Sequence, residues 1–233
     1  MSEAPSPPAR RAPKAGAKTV EPSAAGSRQR RKEARPQELL AAALELFVEK
    51  GYAATRSEEV AQRAGVSKGT LYLYYPSKEE LFKAMVRENL SELIQRAAQM
   101  VDAHQGTQRE LLGKVMQIWW QEIGLSPAGG ITKIMTAEAR NFPEVAQFFV
   151  DEVIDPTHRM IAQLLERGMA SGEFRQVPVH EAVHVLMGPM LQMVLLRHSF
   201  AACALHMPEL DPQAVLELEL DLFLDGLARR AGP

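Results

Sequence analysis

One short stretch of the chain gathers a cation, hydroxyls and phenols at helical spacing: Ser67-Lys68-Gly69-Thr70-Leu71-Tyr72-Leu73-Tyr74. A 3.6-residue period sends Val66, Leu71 and Tyr75 inward and leaves Lys68, Thr70, Tyr72, Leu73 and Tyr74 outward. A cation in the first turn of a helix opposes the helix dipole unless an anion is near, and both Lys68 and Lys78 occupy such positions. Gly69 weakens a helix relative to alanine but lets a bulky partner approach the backbone. Cation, hydroxyls and open backbone together suit the grip of a phosphate-rich partner rather than the making of bonds. A second constellation is covalent chemistry in outline. His180-Glu181-Ala182-Val183-His184 matches H-E-x-x-H, which places two imidazoles one turn apart for zinc, with the glutamate as base. Its place in the first turn after Pro178, with no third-ligand spacing downstream, weighs against it, so a zinc metallopeptidase is the alternative reading.

The elements that would carry the first stretch are written in start and stop signals. Thr55 and Glu58 are spaced as a capping box, and Ser77 and Glu80 repeat it. Ser67 is placed to cap a helix whose Val66 and Leu71 form a hydrophobic staple, and Gly65 supplies the left-handed stop of the helix before it. Two short helices joined by a glycine-containing turn make a helix-turn-helix. A helix from Pro36 to about Lys50, with Leu40, Leu44, Phe47 and Val48 inward, precedes it, and the three together make a thin core. Downstream the helical period predicts helices near 78–103, 108–123, 130–141, 144–171, 179–201 and 212–230. Residues 216–222 alternate with period two, as a strand would, but Leu and Glu are strong helix formers and Asp211-Pro212 opens a helix.

The segment 37–82 resembles the DNA-binding domain of the TetR/AcrR family of bacterial transcriptional regulators. The likeness rests on Gly51-Tyr52, Val60-Ala61, the run Ala64 to Tyr72, and Tyr75-Pro76-Ser77-Lys78-Glu79-Glu80-Leu81. Residues 137–144 and Gly172-Glu173-Phe174 look like the regulatory domain of an AefR-like branch. The resemblance implies an all-α chain of about nine helices: a disordered basic tail over 1–35, a three-helix DNA-binding domain over 36–82, and a ligand-binding and dimerisation domain over 83–233. It implies a ligand-responsive repressor that binds an inverted-repeat operator in double-stranded DNA as a homodimer; an activator, or a regulator without ligand, is the variant of the same fold. Lys68, Thr70 and Leu73 would face base edges, where lysine donates to guanine and leucine touches a thymine methyl. Arg56, Tyr72, Tyr74 and Lys78 would hold phosphates, with Ser67 and Gly69 at the closest approach. Leu73 departs from the family's commoner aromatic or polar residue.

All ten methionines after Met1 lie at or beyond Met85, and methionine suits a pocket that must accept varied shapes. The family buries a small-molecule pocket in this domain, and the residues expected to line it are Met100, Met116, Trp119, Trp120, Met135, Phe149 and Met187, for an apolar ligand. The last two helices carry more apolar surface than one helix face needs, at Met190, Leu191, Val194, Leu195, Val215, Leu218, Leu222 and Phe223. In the family such a pair makes a four-helix dimer interface.

The formal charge of −2 argues against a nucleic-acid partner until its distribution is read. Residues 1–36 hold nine Lys/Arg against three Glu, a local +6 that leaves −8 elsewhere. Arg28, Arg30, Arg31, Lys32 and Arg35 could form an arm along the minor groove or the phosphates. The single cysteine, Cys203, excludes an internal disulfide framework and fits a reducing cytoplasm. No apolar signal segment is visible, the run 190–196 is too short for a membrane span, and no cofactor or metal is expected.

Overall fold

Among the described residues only three depart into left-handed backbone, Gly51, Gly65 and Gly172, at φ of 86°, 66° and 77°. Each follows a helix end, where a residue without Cβ meets no steric penalty. The computed structural model describes residues 24–200 and 211–228, with side chains from Arg35 onward. The helices are α1 (Ala24–Lys50), α2 (Ser57–Arg63), α3 (Lys68–Tyr74), α4 (Lys78–Val86), α5 (Glu92–Ala103), α6 (Gln108–Trp119), α7 (Gly129–Glu138), α8 (Pro143–Phe149), α9 (Asp155–Ala170), α10 (Val179–Phe200) and α11 (Pro212–Leu227). Single π turns, Arg87–Ser91, Trp120–Gly124 and Val150–Ile154, join α4 to α5, continue α6, and join α8 to α9. The rods 78–103, 108–124 and 143–170 are therefore continuous, and the all-α class holds. No strand occurs among the described residues; one isolated bridge, Phe174 with Ala228, ties the α9–α10 loop to the end of α11.

The first helix begins upstream of its expected start, and Pro36 lies inside it. Residues 28–35 are mostly Arg, Lys, Gln, Glu and Ala, whose helix propensity lets the coil wind through. Residues 24–35, expected to belong to a disordered tail, lie within α1; residues 1–23 lie outside the described residues, as do Cys203 and the side chains of the proposed basic arm up to Lys32. The period-two segment 216–222 is helical within α11, as propensity required.

Two apolar cores organise the rest. One runs from Leu39, Phe47, Val60, Leu71 and Phe82 directly into Ile131, Ile134, Val145 and Phe149. Tyr52 sits at its centre, with ring centroids 5.7 Å from Phe47, 5.0 Å from Phe82 and 4.7 Å from Phe142. The three-helix unit thus has no private core and is seated on α7 and α8. The second core packs α6, α9, α10 and α11 around Leu112, Leu164, Leu186 and Leu224.

At 22 residues, α10 is long and apolar enough by length and composition to cross a membrane, which the short run 190–196 did not suggest. Its Leu186, Met187, Met190 and Val194 are buried against the neighbouring helices, so the apolarity serves packing on that face.

Candidate nucleic-acid interface and cavity

The cap of α3 is as the sequence predicts: Ser67 Oγ accepts from Thr70 N at 3.1 Å, and it lies 2.9 Å from Thr70 Oγ1. Ser77 Oγ likewise accepts from Glu80 N at 3.0 Å. The start of α2 is shifted by one residue. Glu59, not Glu58, accepts from the backbone of Arg56 at 3.1 Å. Thr55 is instead buried, its hydroxyl donating to Gly51 O at 2.7 Å and Leu46 O at 3.2 Å, so it locks the α1–α2 turn. Spacing alone could not separate these boxes, because Glu58 and Glu59 are adjacent.

Leu71 anchors α3 in the core while Leu73 is 86% exposed, beside the exposed Lys68, Gly69 and Tyr72. An apolar side chain so fully in water at the centre of a polar face has no packing role in the isolated chain. Lys68 is not idle: its Nζ lies 2.5 Å from Glu58 Oε1 and 5.7 Å from the centroid of Tyr72. That partner holds the Glu58 carboxyl below its ordinary range and raises the lysine. Arg56 is exposed at the cap of α2. Lys78 is partly buried, donating to Tyr52 O at 3.0 Å and Ala53 O at 3.3 Å, with the ring of Tyr52 4.5 Å below it. Two of its three N–H groups therefore brace the turn after α1. Burial lowers its pKa, and burial with Glu79 and Glu138 nearby pushes the Tyr52 phenol up to about 12, so Tyr52 stays neutral.

The Glu58–Lys68 pair gives a direct test. A base edge that meets Lys68 must displace Glu58, and the duplex phosphates feel the repulsion of that carboxylate. Glu58→Gln is expected to tighten duplex binding about two- to fivefold at moderate salt, with less gain at high salt. Fluorescence anisotropy at two salt concentrations measures it, and unchanged affinity would remove Lys68 from the contact.

The larger domain encloses a cavity of about 440 Å³. Trp119, Met135, Phe149 and Met187, four of the seven residues expected at a ligand pocket, line it. Met100, Met116 and Trp120 do not. Met116 borders a separate void of about 20 Å³, Trp120 is buried in the second core, and Met100 packs against that core. One helical turn separates cavity-facing from core-facing residues here, which composition does not resolve. The sequence reading missed most of the polar lining, Thr132, Thr136, Thr157 and His184, which stand in the wall with His158. Thr132 and Thr136, four residues apart with Met135 and Ala139 on the same face, were the available signal. All three π turns reach the cavity, through Leu90, Ile123, and Val150 with Val153 and Ile154.

Three cavity walls also touch the DNA-side unit. The rod 78–103 begins at its Ser77 cap and brings Leu90 and Ile94 to the lining. On α7, Met135 and Ala139 line the cavity while Glu138 Oε1 accepts from Ala53 N at 3.0 Å. Around α8, Ala146 and Phe149 line it while Phe142 stacks edge-on against Tyr52.

The H-E-x-x-H segment does not assemble a zinc site. His180 and His184 face α9, but Glu181 lines a different groove, between α10 and α11. No group of three or more His, Cys, Asp or Glu side chains is placed to hold a metal ion among the described residues. That second groove, of about 610 Å³, is apolar, with Leu218, Leu222 and Val185 59%, 65% and 64% exposed. Met190 and Val194, expected on the outer face, are buried inside, because α10 turns them toward the second core.

A helix-turn-helix with an outward reading face, seated on a helical domain with an apolar cavity, defines the class of one-component regulators. Residues 39–85 match the family of bacterial regulatory proteins, tetR family, and residues 103–204 match the tetracyclin repressor-like C-terminal domain. The chain belongs to the TetR family of transcriptional regulators and is a DNA-binding regulator of transcription. It is 29% identical to the HTH-type transcriptional repressor KstR2 of Mycolicibacterium smegmatis over 142 residues, 60% of this chain and 68% of that protein. To the HTH-type transcriptional activator FasR of the same organism it is 46% identical over 69 residues, 30% of this chain and 31% of that one. The crystal structure of the transcriptional regulator FadR from Bacillus subtilis in complex with stearoyl-CoA shares the fold, with a TM-score of 0.68 at 22% identity, covering 82% of this chain and 98% of the other.

Proposed function

We propose that the protein is a ligand-responsive repressor that binds an inverted-repeat operator as a homodimer in the cytoplasm, with no catalytic role. The observation that carries the reading is the exposed Leu73 on the outward face of α3, flanked by Lys68, Thr70 and Tyr72. In this reading Lys68, Thr70 and Leu73 meet base edges. Arg56, Tyr72, Tyr74 and Lys78 hold phosphates, and Ser67 and Gly69 lie against the backbone. Residues 36–82 form the DNA-binding domain and 83–233 the sensing and dimerisation domain. The exposed Val185 of α10 and Leu218 and Leu222 of α11 meet those of a second copy, which sets two α3 helices about one DNA turn apart, roughly 34–36 Å.

A molecule in the 440 Å³ cavity presses on walls that continue into the DNA-side unit. Its differential affinity for the DNA-incompetent arrangement limits the response, typically about 1–3 kcal/mol. The apolar lining favours a ligand with an apolar body, and the structurally similar FadR of Bacillus subtilis is crystallised with stearoyl-CoA, whose acyl chain is such a body. Selection of randomised duplex DNA by the full chain, at near-physiological salt with competitor, tests the core of the reading. Enrichment of one inverted repeat is the expected result; no enrichment removes sequence-specific reading by α3.

A further inference from the structure

Along α11, Val215, Glu219 and Phe223 fall on one helical face at four-residue spacing, and all three line the apolar groove against α10. Leu218 and Leu222, mostly in water, flank that face. A carboxyl group is thus set into the middle of an apolar strip. Both Glu219 oxygens are shielded from water and bond nothing among the described residues. The neighbouring cations are engaged elsewhere. Arg175 Nε donates to Gly226 O at 2.6 Å, two turns along α11 from Glu219, roughly 10 Å. Arg109, which meets α11 from α6, is held by Asp225 at 2.7 Å. The one ionisable group that α10 adds to the groove lining is a second acid, Glu181, in its first turn. Beside Val185, α10 also presents an acceptor: Pro189, inside the helix, has no N–H to give the Val185 carbonyl four residues back. Such a groove suits a neutral acid, which can donate, over an anion, which cannot.

Resting on a second copy of the chain as the groove's occupant, we propose that two chains associate with Glu219 protonated, so that each takes up a proton as the dimer forms and assembly of the regulator is tied to pH. The strip itself favours that occupant. Val185, Leu218 and Leu222 stand 64%, 59% and 65% exposed, and Arg175 and Glu181 give the groove one charge of each sign, a set that can match itself under a two-fold axis. In that contact both Glu219 carboxyls enter one apolar patch. Ionised, each would lose its remaining water and face the like charge of the other. Protonated, neither penalty arises, and the acid proton has a carbonyl of the kind Pro189 frees.

The sign of the pH dependence follows. Burial already pushes the Glu219 carboxyl of the single chain up to about 7, and cover by a second copy raises it further. The contribution to association is complete below the single-chain value and is lost as pH rises from there through the value in the dimer. The window is mildly alkaline, well above the range in which exposed carboxyls titrate.

The test is dilution of the fluorescently labelled full chain, without DNA, at about pH 6.5 and about pH 8.5 and constant ionic strength, read by sedimentation velocity. The dimer dissociation constant is expected to rise at least about tenfold from the lower pH to the higher. Glu219→Gln keeps the shape and stays neutral, and it is expected to hold near the low-pH value at both. Heats of dilution in two buffers of different ionisation heat are expected to report proton release on dissociation for the native chain and none for Glu219→Gln. Should the dimer outlast the dilution, the same two chains carrying Leu222→Ala bring dissociation into range. A dimer equally strong at both pH values, or a pH dependence that Glu219→Gln retains, overturns the proton linkage and leaves the two-copy reading standing. A chain that stays monomeric at both overturns that reading and the linkage with it, while the duplex selection judges DNA reading separately.

Discussion

Replacing Leu218 and Leu222 together by arginine is expected to leave a folded monomer that binds its operator at least about 100-fold more weakly. Both side chains stand mostly in water on α11, so the isolated fold loses little when they change. With Val185 across the groove they form a contiguous apolar strip, larger than scattered surface leucines would give. In a two-fold assembly the strip meets its own copy, so the two arginine pairs together bring four cations into one desolvated patch. A monomer presents one α3 where the operator offers two half-sites and loses the gain of simultaneous engagement. Sedimentation velocity and duplex titration on the same sample decide the matter. A dimer that persists would place the interface elsewhere; a monomer that still binds tightly would separate dimerisation from DNA reading.

Glu219→Gln is expected to stabilise the protein at pH 8 and to have little effect at pH 4.5. The residue lies at the α10–α11 groove with both carboxylate oxygens shielded and unpartnered among the described residues, and burial pushes its pKa up to about 7. The folded state therefore holds this proton more tightly than the unfolded chain. Its destabilising effect is complete above about pH 7 and vanishes as pH falls toward the ordinary glutamate value near 4.5. The full shift would correspond to about 3 kcal/mol, but the residue is only partly buried and solvent screens the charge. About 1–2 kcal/mol is the expected gain at pH 8, read from denaturation midpoints at both pH values. An equal gain at both would mean that packing, not ionisation, is responsible.

How far such features are legible in a sequence depends on how local they are. Ser67, Ser77 and Gly65 act within a turn of their own positions, so the end of α2 and the starts of α3 and α4 could be placed from residue types alone. Leu73 outward and Leu71 inward follow from the same periodicity. The start of α2 slipped by one because two adjacent glutamates compete for one cap. Pro36 read as a beginning because proline favours first turns, yet helix-forming residues precede it. The cavity lining was half legible. Methionine and aromatic content marks an apolar interior, but whether Trp119 or its neighbour Trp120 faces the void depends on a π turn that begins between them. Lys78 shows the limit plainly: its position predicts an anion, and the structure also gives it two carbonyls 25 and 26 residues away in the chain. His158 and His184 come from helices joined by a long loop, so no spacing announced their pairing.

The three π turns are, in the vocabulary of crystals, dislocations. Each winds one surplus residue into a rod while keeping the segments on either side aligned with their neighbours. All three lie where their rods border the chamber. A deletion of one residue inside 87–91, 120–124 or 150–154 therefore restores a regular coil without turning the flanking helices, whereas the same deletion in α5 or α9 rotates everything beyond it by about 100°. Chamber size can thus drift in single-residue steps, rod by rod, while the reading head at the far end keeps its aim.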